Sequence, residues 1–270
     1  MWVSVGRSNN LSTDFHRLSQ IIPKICVNLR ESVDEIEGLA MNKKVLILSA
    51  HPDDAVTCMG GTICKLLAEG NSVSVFAFGN GDEDYDEPGG SEAAVTRYKE
   101  NTAMAYDILG CSLECLWLPD FEDFQTRELY RECIKAIRKY QPDIVFAHWW
   151  AEYFQHTTMA TISRDAWNQA RWFCSGDLGK PWTPAKYYHF SGADGVREIT
   201  HIVDITPYIE RKLAAHRAFA FRFFDKENDD AENVRKRNAY EGSLIGVDYA
   251  ETFQRSFYFP EPVTNGDALF

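Results

Sequence analysis

No stretch of this 270-residue chain holds the roughly 20 consecutive apolar residues that a membrane-spanning helix needs. The N-terminus also lacks the short apolar core of a secretory leader. Membrane insertion and export are therefore not expected. Basic residues are in deficit, with 28 Lys and Arg against 40 Asp and Glu. The resulting net charge of -12 argues against nucleic acid or an anionic membrane as a partner held by bulk electrostatics. Neutral or amine-bearing substrates remain compatible with it. Seven cysteines, an odd number, have no paired spacing, and Cys58 and Cys64 form no Cys-x-x-Cys pair. They read as reduced thiols, so the expected location is cytoplasmic. Internal repeats and low-complexity tracts are missing. No Gly-x-Gly-x-x-Gly follows the first strand, which argues against a nucleotide-binding Rossmann protein.

What is present is centred on Val45-Leu46-Ile47-Leu48-Ser49-Ala50-His51-Pro52-Asp53-Asp54, with Gly60-Gly61 beyond. Val45 to Leu48 is apolar without alternation, as in a strand buried on both faces. Pro52 ends that strand by fixing its own φ and keeping His51 out of helical geometry. From Asp53 to Leu67, the residues Val56, Met59, Ile63, Leu66 and Leu67 recur at helical spacing. One imidazole and two carboxylates thus stand on a strand-to-helix turn, the edge where open α/β sheets bind ligands. His51 and Asp54 can converge on a cation such as zinc. Asp53 between them points elsewhere and suits a base for an attacking water. One Asp alone would serve as a helix cap; His-Pro followed by two Asps exceeds that need.

Further along, strands are expected over 73–78, 113–118, 144–147 and 199–205, and helices over 91–109, 127–140 and 157–173. Residues 1–40 read as an N-terminal extension of two helices broken at Pro23, covering the domain's flank or making a subunit contact. Asp82, Asp84 and Asp86 alternate in a glycine-rich acidic loop. They lack the glycine and terminal glutamate of an EF-hand. The 144–147 strand delivers His148 to the active edge. His156, at the next strand-to-helix connection, is placed to join His51 and Asp54 as a third ligand. Three protein ligands with one open position is the catalytic zinc pattern. His201 and His216 have no ligand spacing. Trp172, Trp182, Tyr187 and Tyr188 surround a turn-rich segment over 176–184, as core or as rings stacking on a sugar. The run from Asp225 to Arg237 reads as a solvated helix or loop.

Ala50-His51-Pro52-Asp53-Asp54 with Gly60-Gly61 resembles the signature of the PIG-L/LmbE family, zinc-dependent de-N-acetylases of sugars and sugar conjugates with a Rossmann-like fold. The resemblance runs from about Lys43 to Phe259. It implies a sugar-contacting role for Arg97, in an Arg-x-x-Glu segment before Leu109-Gly110. It also implies an acidic residue near the sugar hydroxyls at Asp120, in Leu118-Pro119-Asp120, although a Pro-Asp turn explains that pair equally well. The segment around Tyr249-Ala250-Glu251 resembles the family's C-terminal stretch and is expected to close one side of the pocket. One departure stands out. The family's usual His-x-x-His has its second histidine on zinc, matched by His156, but Tyr153 stands in the place of the first. The Tyr153 phenol, or His148 from the strand end, is then the candidate donor to an oxyanion.

The expected architecture is one Rossmann-like α/β domain over 41–270, with a mostly parallel sheet flanked by helices. The expected activity is metal-dependent removal of an acetyl group from an N-acetylated amino sugar or its conjugate. His51, Asp54 and His156 hold Zn2+ or another divalent metal, Asp53 and Tyr153 are catalytic, and Arg97, Asp120 and His148 bind substrate. The alternatives are an amidase cutting a larger thiol or sugar conjugate, or an inactive metal- and sugar-binding protein of the same fold. A homo-oligomer is compatible with either.

Overall fold

The apolar run of β1 (Lys44–Ser49) is divided between two cores. Val45 and Ile47 enter one, and Leu46 and Leu48 the other. All four are at most 2% exposed, which is why the run has no polar alternation. Each such side chain contributes about 1.5–3 kcal/mol by leaving water. These contacts come from a computed structural model that describes residues 42–82, 92–120, 126–192, 198–219 and 230–256. The expected N-terminal helices, most of the acidic loop and the start of the 225–237 run lie outside the described residues.

Among the described residues, seven strands form one sheet with six flanking helices. The chain proceeds from β1 through α1 (Pro52–Ala68), β2 (Ser72–Gly79), α2 (Glu92–Leu109), β3 (Ser112–Leu118) and α3 (Arg127–Tyr140) to β4 (Ile144–His148). Then come α4 (Phe154–Gln169), β5 (Lys186–Phe190), β6 (His201–Asp204), α5 (Ile209–Ala218), α6 (Asp230–Ser243) and β7 (Ala250–Arg255). The strand order is β3-β2-β1-β4-β5-β7-β6. The pairings from β3 to β5 are parallel, and β7 runs antiparallel to both its neighbours. Helices α1, α2, α5 and α6 cover one face, and α3 and α4 the other. From β1 the chain winds outward through β2 to β3, then crosses back to place β4 on the other side of β1. That reversal opens a crevice at the carboxyl ends of β1 and β4.

Two strands were not expected from the sequence. β5 holds Tyr187 and Tyr188, which point to opposite cores. The pair is therefore core and not a stacking surface, whereas Trp172 is 54% exposed. β7 comes from the C-terminal segment that was expected to close the pocket. Its Glu251 is instead buried against α1, which is kinked at Met59 (φ -143°, ψ 21°). The Glu251 carboxylate accepts the N–H groups of Gly61 (2.9 Å) and Thr62 (2.7 Å), capping the restarted helix. A Cβ on Gly61 would come within 2.6 Å of Ile205, so this approach needs glycine. α4 starts at Phe154, earlier than the expected 157, which puts His156 inside its first turn.

Candidate active site

Four loops meet at the carboxyl edge: those after β1, β2, β3 and β4. Pro52 occupies the first helical position of α1, with His51 as the N-cap residue and Asp54 two positions further in. Asp54 Oδ2 accepts the backbone N–H of His51 at 2.7 Å, so the capping function is real. Its other oxygen, Oδ1, lies 2.9 Å from His156 Nε2. The same carboxylate therefore shapes the turn and faces the next loop. His51, Asp54 and His156 are buried and present ligand atoms within 4.8 Å of one another.

Each of the two histidines has a carboxylate behind it. His51 Nε2 lies 3.1 Å from Asp120 Oδ1, leaving Nδ1, 3.6 Å from Asp54 Oδ2, to face a cation. His156 Nδ1 lies 2.5 Å from Glu152 Oε2, leaving Nε2 toward Asp54. Burial alone would lower the His156 pKa, but Asp54 and Glu152 outweigh it and raise it to about 9. His51 is also raised, by Asp120 and Asp54 against burial. Burial would raise Asp54, yet the histidines alongside, His156 first, hold it well below the usual carboxylate range. A buried set of two imidazoles and a carboxylate, backed by further carboxylates, suits a divalent cation of the zinc type.

Asp53 stands apart from this trio. Tyr98, on α2, donates its hydroxyl hydrogen to Asp53 Oδ1, and Tyr106 donates to the Pro52 carbonyl at 2.8 Å. Burial and the adjacent Asp54 charge push the Asp53 pKa up. Tyr153, 46% exposed, has its hydroxyl 2.5 Å from His156 Nε2.

Two candidates sit differently from the reading drawn from the sequence. His148 was expected to reach a substrate, but it is fully buried. Its Nε2 accepts the Ala50 N–H at 3.0 Å, which puts the ring proton on Nδ1, 3.4 Å from Glu152. It braces β4 against β1 beneath the site. Asp120 was expected beside sugar hydroxyls, but it is 1% exposed and stands behind His51. Its Oδ1 also accepts the Asn80 N–H at 3.2 Å. Arg97 is exposed on α2; its neighbour Tyr98 is the residue that reaches Asp53. Glu152, Tyr98 and Gly79 were missed. A Cβ on Gly79 would come within 2.4 Å of both Asp120 Oδ1 and His51 Cδ2, so only glycine lets these two groups meet. The sequence signals were faint: a Glu four residues before His156, and a Gly ending a strand.

The fold and site define a Rossmann-like α/β protein with a candidate His-Asp-His metal centre at its switch point. Residues 46–167 match the model of the PIG-L family, described as GlcNAc-PI de-N-acetylase. His51, Asp54 and His156 all fall within the matched stretch. A diacetylchitobiose deacetylase from Thermococcus kodakarensis is 33% identical over 140 residues, 51% of this chain and 49% of that protein. The chain thus aligns with about half the length of this curated relative. The solved N,N'-diacetylchitobiose deacetylase from Pyrococcus horikoshii superposes with a TM-score of 0.72 at 24% identity, covering 97% of this chain and 99% of that one. A 4-carboxy-2-hydroxymuconate hydratase from Pseudomonas putida has the same fold, with a TM-score of 0.67 at 20% identity over 83% of this chain and 99% of its own.

Proposed function

We propose that this protein is a metal-dependent de-N-acetylase acting on an N-acetylated amino sugar or a conjugate of one. The observation that carries the reading is the meeting of His51, Asp54 and His156 across the β1 and β4 edges, with Asp53 beside them. The family match over this stretch and the diacetylchitobiose deacetylase relative support the substrate class.

His51, Asp54 and His156 would hold the cation. A divalent ion such as zinc, when bound, polarises an amide carbonyl and makes water more acidic. Asp53 takes the proton of the water that attacks the carbonyl carbon, then returns it to the amine as the C–N bond breaks. The Tyr98 hydroxyl fixes Asp53 Oδ1 during that exchange. The Tyr153 phenol stays protonated at neutral pH and donates to the oxygen on which negative charge develops. Arg97, exposed on the same helix as Tyr98, binds the sugar. Asp120 and His148 act behind the site, by holding His51 and the β1–β4 junction.

The test is acetate release from a panel including N-acetylglucosamine and N,N'-diacetylchitobiose, before chelation, after chelation and after zinc return. Release that is abolished by chelation and restored by zinc is expected. A metal-replete protein inert on every N-acetyl sugar would overturn the reading. A shared fold with a hydratase is reason to run this assay, since fold alone does not choose the reaction.

A further inference from the structure

We infer that Glu152 is the positioning residue of the metal centre, a buried carboxylate that aims His156 and ties it to two neighbouring strands. The inference rests on the metal-dependent reading above and goes beyond it, because no family motif quoted above contains Glu152. Its side chain is fully buried. A carboxylate in such a place is costly unless its lone pairs are used, and here they are. Oε1 accepts the Ser191 hydroxyl and the Gly192 N–H, the latter at 2.6 Å. Oε2 faces His156 Nδ1 at 2.5 Å and His148 Nδ1 at 3.4 Å.

These contacts leave the His156 ring little freedom. Its Nδ1–H is committed to Glu152, so Nε2 is the nitrogen presented to a cation, and the ring plane is fixed by the same bond. The His148 ring packs 3.9 Å away, centroid to centroid, and is itself held by the Ala50 N–H one residue before His51. Glu152 therefore connects the end of β4, the first turn of α4 and the Ser191–Gly192 loop after β5. Through His148 it also reaches the His51 turn. The two halves of the cation site stand on separate strands, and this carboxylate links them by way of His148. The Gly192 carbonyl accepts a bond from Arg237 of α6, which fixes the loop from the far side.

The role predicts a loss of metal affinity that conservative replacement partly repairs. The measurement is the zinc dissociation constant, by competition with a chromophoric chelator, for wild type, Glu152→Ala and Glu152→Gln. Removing an outer partner of a metal-bound histidine typically costs about 10–100-fold in affinity. Glu152→Ala is expected in that range, with Glu152→Gln between it and wild type, because its amide oxygen still accepts from Nδ1–H. The absorption spectrum of the cobalt-substituted protein should shift in Glu152→Ala, since the orientation of one ligand changes; general loosening of the fold would not move it selectively. Ser191→Ala, which removes only one support of Glu152, should weaken zinc by a few-fold and serves if Glu152→Ala does not fold. Wild-type zinc affinity and cobalt spectrum in Glu152→Ala, or in Ser191→Ala should that variant stand in, would overturn the inference while leaving the metal-dependent reading intact. A wild-type protein that binds no zinc at all would overturn both.

Discussion

Asp53 and Asp54 are neighbours in sequence with opposite environments. Asp54 is surrounded by imidazoles that favour its charge, whereas Asp53 has a phenol and a like charge beside it. Two adjacent carboxylates pushed apart in this way are suited to different tasks, one binding a cation and one moving a proton. Asp54→Asn should lose metal, as should His51→Ala and His156→Ala. Asp53→Asn should retain metal and turn over roughly 10²–10⁴-fold more slowly, the usual worth of acid–base catalysis. Elemental analysis and steady-state rates on the same samples decide between them; metal retained in Asp54→Asn but lost in Asp53→Asn would exchange the roles. Tyr153→Phe removes one hydroxyl from the exposed side of His156. Turnover should fall by about 10²–10³-fold with metal content unchanged. Full activity in that variant would take the phenol out of the mechanism.

Helix α1 owes its position to a device below the site. After the Met59 kink its second segment restarts on the Glu251 carboxylate, and Lys212 Nζ donates to Oε1, the oxygen that accepts the Gly61 N–H, at 2.7 Å. Lys212 also donates to Asn238 Oδ1 at 2.8 Å, and both charged side chains are fully buried. Burial lowers the Lys212 pKa, and Glu251 opposes that shift. Breaking such a pair from one side leaves the other charge unmatched, at a cost of about 3–5 kcal/mol. Lys212→Met should therefore lower the melting temperature by roughly 6–20 °C in a domain of this size. Lys212→Met combined with Glu251→Gln should recover part of the loss, since no lone charge then remains. A double variant no more stable than the single one would count against this account.

At the scale of the whole molecule, acid should unfold the protein in part through His189. This imidazole is 7% exposed in β5, with its Nδ1–H donated to the His148 carbonyl at 2.7 Å. Burial pushes its pKa down to about 4. The folded state therefore resists a proton that the unfolded chain accepts near pH 6.5. The stability this provides is present above pH 6.5 and is lost as pH falls toward 4, by about 3 kcal/mol in all. Urea unfolding of chelator-treated protein between pH 7 and 4 should show that slope, and His189→Gln should flatten it. Equal slopes in both proteins would remove His189 from the acid transition. The opposite sign applies to His156 without metal, whose raised pKa stabilises below pH 6.5 and ceases to do so as pH rises past about 9.

Much of the sheet was legible in the sequence because β1, β2 and β4 are buried on both faces, and such runs are short, apolar and bounded by turn residues. His51, Asp54 and His156 were legible for a related reason: the first two follow the end of β1 and the third opens the helix after β4, so local order already brings them to one edge. Tertiary structure alone decided what stands behind them. Glu152, Asp120 and Gly79 come from three different strand ends and the loops after them, and nothing in the spacing of one such segment records which group in another will face it. The reassignment of His148 has the same origin, since its partner is a backbone N–H 98 positions away. β5 and β7 escaped notice because their aromatic and polar residues pair only after the sheet is assembled. Local periodicity is set by covalent spacing and shows in a sequence directly; hydrogen bonds between distant segments exist only once hydrophobic burial has brought those segments together.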